Sequence, residues 1–123
     1  FNHPVKFLAS NCSANGMMTA TNKTKLQING TDCSDYKFTM PNYSAVSSYY
    51  HVANSTGDKK DSLFIYPFCL ETAKLQPTGS LNFSRLDSAR IVNSGSSSLD
   101  AIYAVNYNIM RIENGMAGLV YAN

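Results

Sequence analysis

Hydrophobic and polar residues alternate in short runs along this chain, and stretches rich in Asn, Ser and Gly separate the runs. A period of two residues is typical of β-strands, because successive side chains of a strand point to opposite faces of a sheet. The runs predict strands over residues 5–9, 23–28, 36–40, 63–70, 82–92, 101–112 and 119–121. Only residues 44–52 fit a turn or two of helix. The pattern therefore predicts an all-β sandwich or barrel.

Three of these runs carry additional signals. Residues 63–70 are the most apolar, which predicts a core strand, and Pro67 within them favours a sheet edge or a bulge. The alternation in residues 82–92 slips near Leu86-Asp87-Ser88, which predicts a bulge. Residues 101–112 have apolar side chains on both faces, so we expect both faces of a long strand to meet protein.

Turn signals separate the runs. Asn29-Gly30 and Asn114-Gly115 are dipeptides that favour tight hairpin turns. Gln76-Pro77-Thr78-Gly79 has Pro second and Gly fourth, the pattern of a type I turn. Arg85 and Asp87 lie two positions apart in a predicted strand, so they would share a face. We interpret this pair as a structural ion pair or hydrogen-bond anchor rather than a catalytic pair.

Composition narrows the class of protein. Of 123 residues, 44% are hydrophobic, which argues against disorder, and the net charge of +2 is too small for a nucleic-acid coat. The longest apolar run has about eight residues, far fewer than the roughly 20 that a membrane helix needs. The start, Phe1-Asn2-His3-Pro4, has neither an initiator Met nor a leader pattern, so we expect the chain to begin within a longer polypeptide.

The residues that usually carry chemistry are dispersed. Cys12, Cys33 and Cys69 form no Cys-x-x-Cys pair, so we predict free thiols and no zinc site, with a Cys12–Cys33 disulfide as the alternative. His3 and His51 are the only imidazoles, and no Gly-x-Ser-x-Gly motif accompanies them. We therefore predict no catalytic, cofactor-binding or metal-binding residues.

Six Asn-x-Ser/Thr sequences are potential glycosylation sites in a secreted protein. The sixth, at Asn82, lies in a predicted strand and is the least plausible acceptor. The five remaining candidates are Asn11, Asn22, Asn29, Asn42 and Asn54.

Several longer motifs occur in a characteristic order. The segment from Leu75 to Asp87, with its Gln-Pro-Thr-Gly turn and Asn-Phe-Ser-Arg-Leu-Asp continuation, resembles a signature of the major capsid proteins of nucleocytoplasmic large DNA viruses. The end of the chain, from Ile102 to Leu119, is similar to the C-terminus of that family. Asn2-His3-Pro4 and Leu26-Gln27-Ile28-Asn29-Gly30 also match in order. The resemblance is nearest to capsid proteins of algal and protist viruses, although Ala117 stands where relatives often have Gly.

The resemblance implies a fold and a role. The family has two successive eight-stranded jelly rolls, three subunits form a pseudo-hexagonal capsomer, and capsomers tile an icosahedral shell. Residues 1–123 would be the C-terminal portion of the second jelly roll, with no separate second domain. The expected protein is a structural component of the virion capsid, assembled in the infected host cell, and not an enzyme.

The resemblance also implies partners and structural residues. The expected partners are identical subunits in a homotrimer, neighbouring capsomers and minor capsid proteins, without direct nucleic-acid contact, membrane insertion or cofactors. The candidate structural anchors are Arg85, Asp87, Pro77 and Gly79. The alternative hypothesis is a binding module, either a lectin-like or a secreted β-sandwich, because the same fold also serves lectins.

Overall fold

The computed structural model describes residues 3–11, 22–39, 42–52, 63–95 and 101–121. They contain ten strands: β1 (Pro4–Asn11), β2 (Lys23–Ile28), β3 (Thr31–Asp32), β4 (Lys37–Phe38), β5 (Leu63–Pro67), β6 (Leu81–Asn82), β7 (Ala89–Asn93), β8 (Ala101–Asn106), β9 (Met110–Glu113) and β10 (Met116–Leu119). Three short helical segments accompany them: a π-helical turn (Asn42–Val46), the α-helix α1 (Ser47–His51) and a 3-10 turn (Phe83–Arg85).

The first sheet is built around β1. Strands β5 and β6 pair with opposite ends of β1 along one side, β8 pairs along the other side, and all pairings are antiparallel. The register between β1 and β8 shifts between Val5 and Phe7, which is the signature of a bulge. As a result, Val5, Leu8 and Ser10 are all buried in the same interior.

The second sheet is built around β2. Strand β7 pairs along one side of β2, and the two-residue strands β3 and β4 pair with opposite ends of its other side. The predicted turn between β2 and β3 is confirmed: Asn29 and Gly30 both have positive φ, at 51° and 79°. These values suit a tight hairpin, because its twist requires left-handed residues at both central positions.

The core lies between the two sheets. Val5, Leu8 and Phe83 form its centre, and Ile91 of the second sheet packs against them. Burying a side chain such as Phe83 contributes about 1.5–3 kcal/mol relative to leaving it exposed. The predicted sandwich is therefore confirmed. Among the described residues, its longest helical segment consists of the π-helical turn followed by α1.

Aromatic rings of strand β5 pack the π-helical turn against the core. The Tyr43 ring lies 5.3 Å from the ring centroids of both Phe64 and Tyr66, and Tyr66 in turn contacts Phe68 at 5.5 Å. The predicted core strand over 63–70 is shorter than expected, since β5 ends at Pro67. Among the described strands β5 pairs only with β1, so its edge position agrees with the prediction from the proline.

The prediction of one strand over 82–92 is wrong. The chain leaves β6 at Asn82, whose side-chain oxygen accepts a hydrogen bond from the Ser84 backbone N–H at 3.1 Å. This contact caps the 3-10 turn, which buries Phe83 in the core before β7 begins. The slip in alternation at 86–88 falls in the irregular connection between this turn and β7, and not in a bulged strand.

The prediction of one strand over 101–112 is also wrong. Strand β8 ends at Asn106, and β9 begins only at Met110. Between them, the Asn108 side chain accepts from the Tyr121 backbone N–H and donates to the Tyr121 carbonyl oxygen. These bonds close the base of a separate hairpin. The last strand of this hairpin lies at Met116–Leu119 instead of at the predicted 119–121.

Candidate interaction surfaces

The turn sequence at 76–79 is fastened to the chain that follows β5. The Thr78 hydroxyl accepts from the Glu71 backbone N–H and donates to the Glu71 carbonyl oxygen, both at 3.2 Å. Gly79 has a φ of 137°, and a Cβ there would lie 2.8 Å from the Phe68 carbonyl oxygen. Only glycine fits this approach without strain. Pro77 is exposed, and its candidate anchor role stays a prediction.

The Asn29 residue forms a clamp between two distant segments. Its side-chain oxygen accepts from the backbone N–H groups of Asp87 at 2.9 Å and Ser88 at 3.1 Å, and its backbone N–H donates to the Ser88 carbonyl oxygen. The clamp holds the β2–β3 turn against the segment that leads into β7. Asp87 contributes through its main chain, and its carboxylate is exposed.

Arg85 and Asp87 do not share a strand face, because Arg85 ends the 3-10 turn. They form no ion pair with each other. Within the described ranges, the ion pairs join Lys25 to Asp32, Lys74 to Glu71 and Arg111 to Glu113. The expected shared face is therefore wrong, whereas the wider role of both residues as anchors stays a prediction.

The candidate glycosylation sites lie in varied surroundings and stay predictions. Asn22 is buried, and the Asn42 amide nitrogen already donates to the Phe38 carbonyl oxygen at 2.8 Å. Asn11 ends β1, and Asn54 lies outside the described residues. Of these positions, Asn42 has its glycan-accepting nitrogen occupied by a structural bond.

Two kinds of pKa shift accompany the packing. Hydrogen bonds from Gln27 and then Lys25 lower the pKa of the exposed Asp32 carboxyl. Burial raises the pKa values of Tyr43 and Tyr66, whose rings stack on each other. The first shift follows from hydrogen bonds to the charged carboxylate, with Gln27 ahead of Lys25, and the second follows from packing.

Potential metal ligands are scattered over the described part of the chain, which holds no group of three His, Cys, Asp or Glu residues close enough to share a metal ion. None of the helices in the same residues has the length and apolar character needed to cross a membrane. Cys33 and Cys69 are free thiols, and Cys12 lies outside the described residues.

One side of the sandwich is open. Among the described strands, β8 pairs only with β1 and β7 pairs only with β2, so both strands have an edge without a partner. An apolar cleft of about 70 Å³ runs between the sheets on this side. The side chains that line it include Leu8, Leu26, Phe83, Ile91 and Ile102. An unpaired strand edge beside an apolar cleft favours the addition of further strands.

Strands β9 and β10 form a hairpin with two unlike faces, which we call the C-terminal hairpin. The register pairs Met110 with Leu119 and Ile112 with Ala117, so these four side chains share one apolar face. Arg111, Glu113, Met116 and Gly118 share the other face, where Arg111 and Glu113 form an ion pair at 2.9 Å. Every residue of both strands is exposed.

Residues 3–118 match the family model described as the large eukaryotic DNA virus major capsid protein. The chain belongs to this family. The resemblance read from the sequence motifs is thus confirmed, and the capsid-protein family is supported over the lectin-like or secreted alternative.

Individual relatives of this capsid-protein family agree. The chain is 36% identical over 108 residues to the major capsid protein of Phaeocystis pouchetii virus, covering 80% of the chain and 20% of that protein. It is 30% identical over 135 residues to the major capsid protein of Paramecium bursaria Chlorella virus 1, covering 89% of the chain and 30% of that protein.

A solved capsid extends the similarity to the fold. All of the chain superposes on 44% of a protein in a quasi-atomic model of the PBCV-1 virus capsid, with a TM-score of 0.76 and 26% sequence identity. The predicted jelly-roll fold is confirmed by this match. The chain spans less than half the length of the relatives that it matches.

Sequence reasoning missed the Asn29 clamp and the isolation of the C-terminal hairpin. The Asn-Gly dipeptide signalled a turn, but its partner segment lies 58 residues further along the chain. In the hairpin, the Asn114-Gly115 turn was the available signal, since a turn there pairs the residues before it with those after it.

Proposed function

We propose that residues 1–123 form the C-terminal portion of the second jelly roll of a double jelly-roll capsid subunit. Three such subunits form a pseudo-hexagonal capsomer, and capsomers tile an icosahedral shell. The role is structural, without catalysis. The observation that carries the proposal is the open side of the sandwich, where β7 and β8 have edges unpaired by any described strand and border an apolar cleft.

The number of strands supports the position within the domain. In the first sheet, β5 and β6 pair with opposite ends of β1, so they occupy one strand position beside β1 and β8. In the second sheet, β3 and β4 likewise occupy one position beside β2 and β7. Each such position is counted as one row. Three rows in each sheet make six rows among the described strands, whereas a complete jelly roll has about eight strands. Two further strands, one beside β7 and one beside β8, would complete both sheets and cover the apolar cleft.

Matched lengths support the same position. The whole chain corresponds to 44% of the PBCV-1 protein, which leaves room in that protein for a first jelly roll and for two opening strands. The described strands then supply the later part of the second sandwich.

The proposed partners follow from the role. Identical subunits would form the trimer, and neighbouring capsomers and minor capsid proteins would contact its periphery in the virion, which is assembled in the infected host cell. Exposed aromatic side chains such as Tyr49, Tyr50 and Tyr103 suit protein contacts, because tyrosine offers a large contact area with few rotatable bonds. The net charge of +2 gives no support to direct nucleic-acid binding.

Expression of the full-length gene product tests the role. We expect light scattering to give the mass of a trimer and electron microscopy to show pseudo-hexagonal capsomers. A stable monomer that never assembles, alone or with the minor capsid proteins, would contradict the proposal.

Expression of residues 1–123 alone tests the position in the fold. We expect an insoluble or aggregated product, because the open edges of β7 and β8 pair readily with other chains. A matched longer fragment that restores the two preceding strands should be more soluble. A soluble monomer of 1–123 with a sharp, cooperative unfolding transition would show instead that the fragment is an autonomous domain.

A further inference from the structure

The C-terminal hairpin is an exposed structure with an apolar face and no extensive packing on any other described element. Its apolar face exposes 64% of Met110, 69% of Ile112 and 62% of Leu119. A two-stranded hairpin by itself is at best marginally stable in water, so the burial of one face against a third layer is what normally stabilises it. The opposite face carries the Arg111–Glu113 ion pair and suits contact with water.

The base of the hairpin lies beside the first described residues. The Tyr121 ring packs 5.3 Å from the His3 ring, and the Tyr107 backbone N–H donates to the Pro4 carbonyl oxygen at 2.9 Å. Polypeptide that precedes His3 in a longer subunit must therefore leave the sandwich next to the hairpin. A segment tethered a few residues away has a high effective concentration at this surface, on the order of millimolar.

We infer that the apolar face of the C-terminal hairpin docks on polypeptide that precedes Phe1 in the same full-length subunit. This inference rests on the proposed function, which supplies that polypeptide. Docking buries Met110, Ile112 and Leu119, leaves Arg111 and Glu113 in water, and ties the end of the second jelly roll to an earlier part of the chain. The segment that docks should present apolar side chains to the hairpin.

Photocrosslinking in the full-length subunit tests the inference directly. The photoreactive residue p-benzoylphenylalanine would replace Met110 on the apolar face or Met116 on the charged face. The two positions have the same native residue and similar exposure, so they form a matched pair. We expect crosslinking at position 110 to a peptide preceding Phe1, with a product of one-subunit mass on a denaturing gel, and loss of that product at position 116.

Each other outcome overturns the inference. A product of two-subunit mass from position 110 would assign the face to a second copy of the protein. Equal yields from positions 110 and 116, or no crosslink at 110, would show that the apolar face has no intramolecular partner. Trimer mass measured on the same samples separates these results from a failure of the proposed function.

Hydrogen exchange provides a second readout that does not require the crosslinker. In the full-length subunit, Met110→Lys should raise the exchange rate of the hairpin amides about tenfold, because it opposes docking. Met116→Lys, which places a lysine beside Glu113, should leave that rate unchanged. Equal rates in the two variants would argue against docking through the apolar face.

Discussion

The Gly79→Ala substitution tests whether the turn at 76–79 is held by backbone packing. Gly79 has a φ of 137°, and an added Cβ would lie 2.8 Å from the Phe68 carbonyl oxygen and 3.4 Å from the Cys69 Cα. Both neighbours are backbone atoms, which cannot move aside as the end of a long side chain can. The turn and the chain after β5 must therefore separate if alanine is to fit.

The expected cost has two parts. Backbone strain at a φ that L-residues rarely adopt costs about 1–3 kcal/mol. Overpacking against a fixed neighbour adds about 1–3 kcal/mol. We therefore expect Gly79→Ala to lower the free energy of unfolding of the full-length subunit by about 2–6 kcal/mol, the larger values arising where both parts apply in full.

Gly30→Ala is the matched control. Gly30 also has a positive φ, at 79°, but a Cβ there would meet nothing within 4 Å. The Gly30→Ala variant should therefore lose only about 1–2 kcal/mol of unfolding free energy, from placing alanine in the left-handed region. Chemical denaturation followed by circular dichroism measures both variants. Equal losses in the two variants would refute the contribution of the contact with Phe68.

Three further predictions concern the clamp, the core and pH. Asn29→Ala should lower the free energy of unfolding by about 1–3 kcal/mol, because it leaves two backbone N–H groups without their acceptor. Asp87→Ala should lower it less, because Asp87 joins the clamp through its main chain. Comparable denaturation midpoints for the two variants would contradict this. Thr39→Val should lower the free energy of unfolding by about 1–3 kcal/mol, because it leaves the buried Thr24 hydroxyl without its partner at 2.6 Å. Adding Thr24→Val should recover part of that loss in a double-mutant cycle. Strictly additive losses would refute the coupling. Burial raises the pKa of Tyr66 above its ordinary value of 10.0, so the folded state holds this proton more tightly than the unfolded chain does. The Tyr66 hydroxyl should not affect stability below pH 10.0, and stability should fall as the pH rises from there through the raised pKa. Tyr66→Phe should weaken this loss of stability at alkaline pH in thermal unfolding curves. An unchanged slope of stability against alkaline pH would count against the assignment.

Local pattern was sufficient for much of the framework. The alternation in residues 23–28 predicted β2 with its observed bounds, and both Asn-Gly dipeptides occupy hairpin turns with positive φ. These features depend on neighbouring residues alone, since period-two alternation records which side chains share a face and a left-handed turn selects Asn and Gly. The order of the motifs along the chain was likewise enough to predict the capsid-protein family.

Tertiary structure alone decided where strands stop and what they pair with. Residues 82–92 read as one strand, yet burying Phe83 between the sheets requires the 3-10 turn that divides them. The Ser10 hydroxyl donates to the Ala101 carbonyl oxygen across 91 residues of sequence, and the Asn29 clamp spans 58. Alternation shows that a side chain faces a core, but not which distant segment forms that core. Among the described residues, the open edges of β7 and β8 and the exposed apolar face of the C-terminal hairpin depend on such non-local pairing. They became visible only in the folded chain.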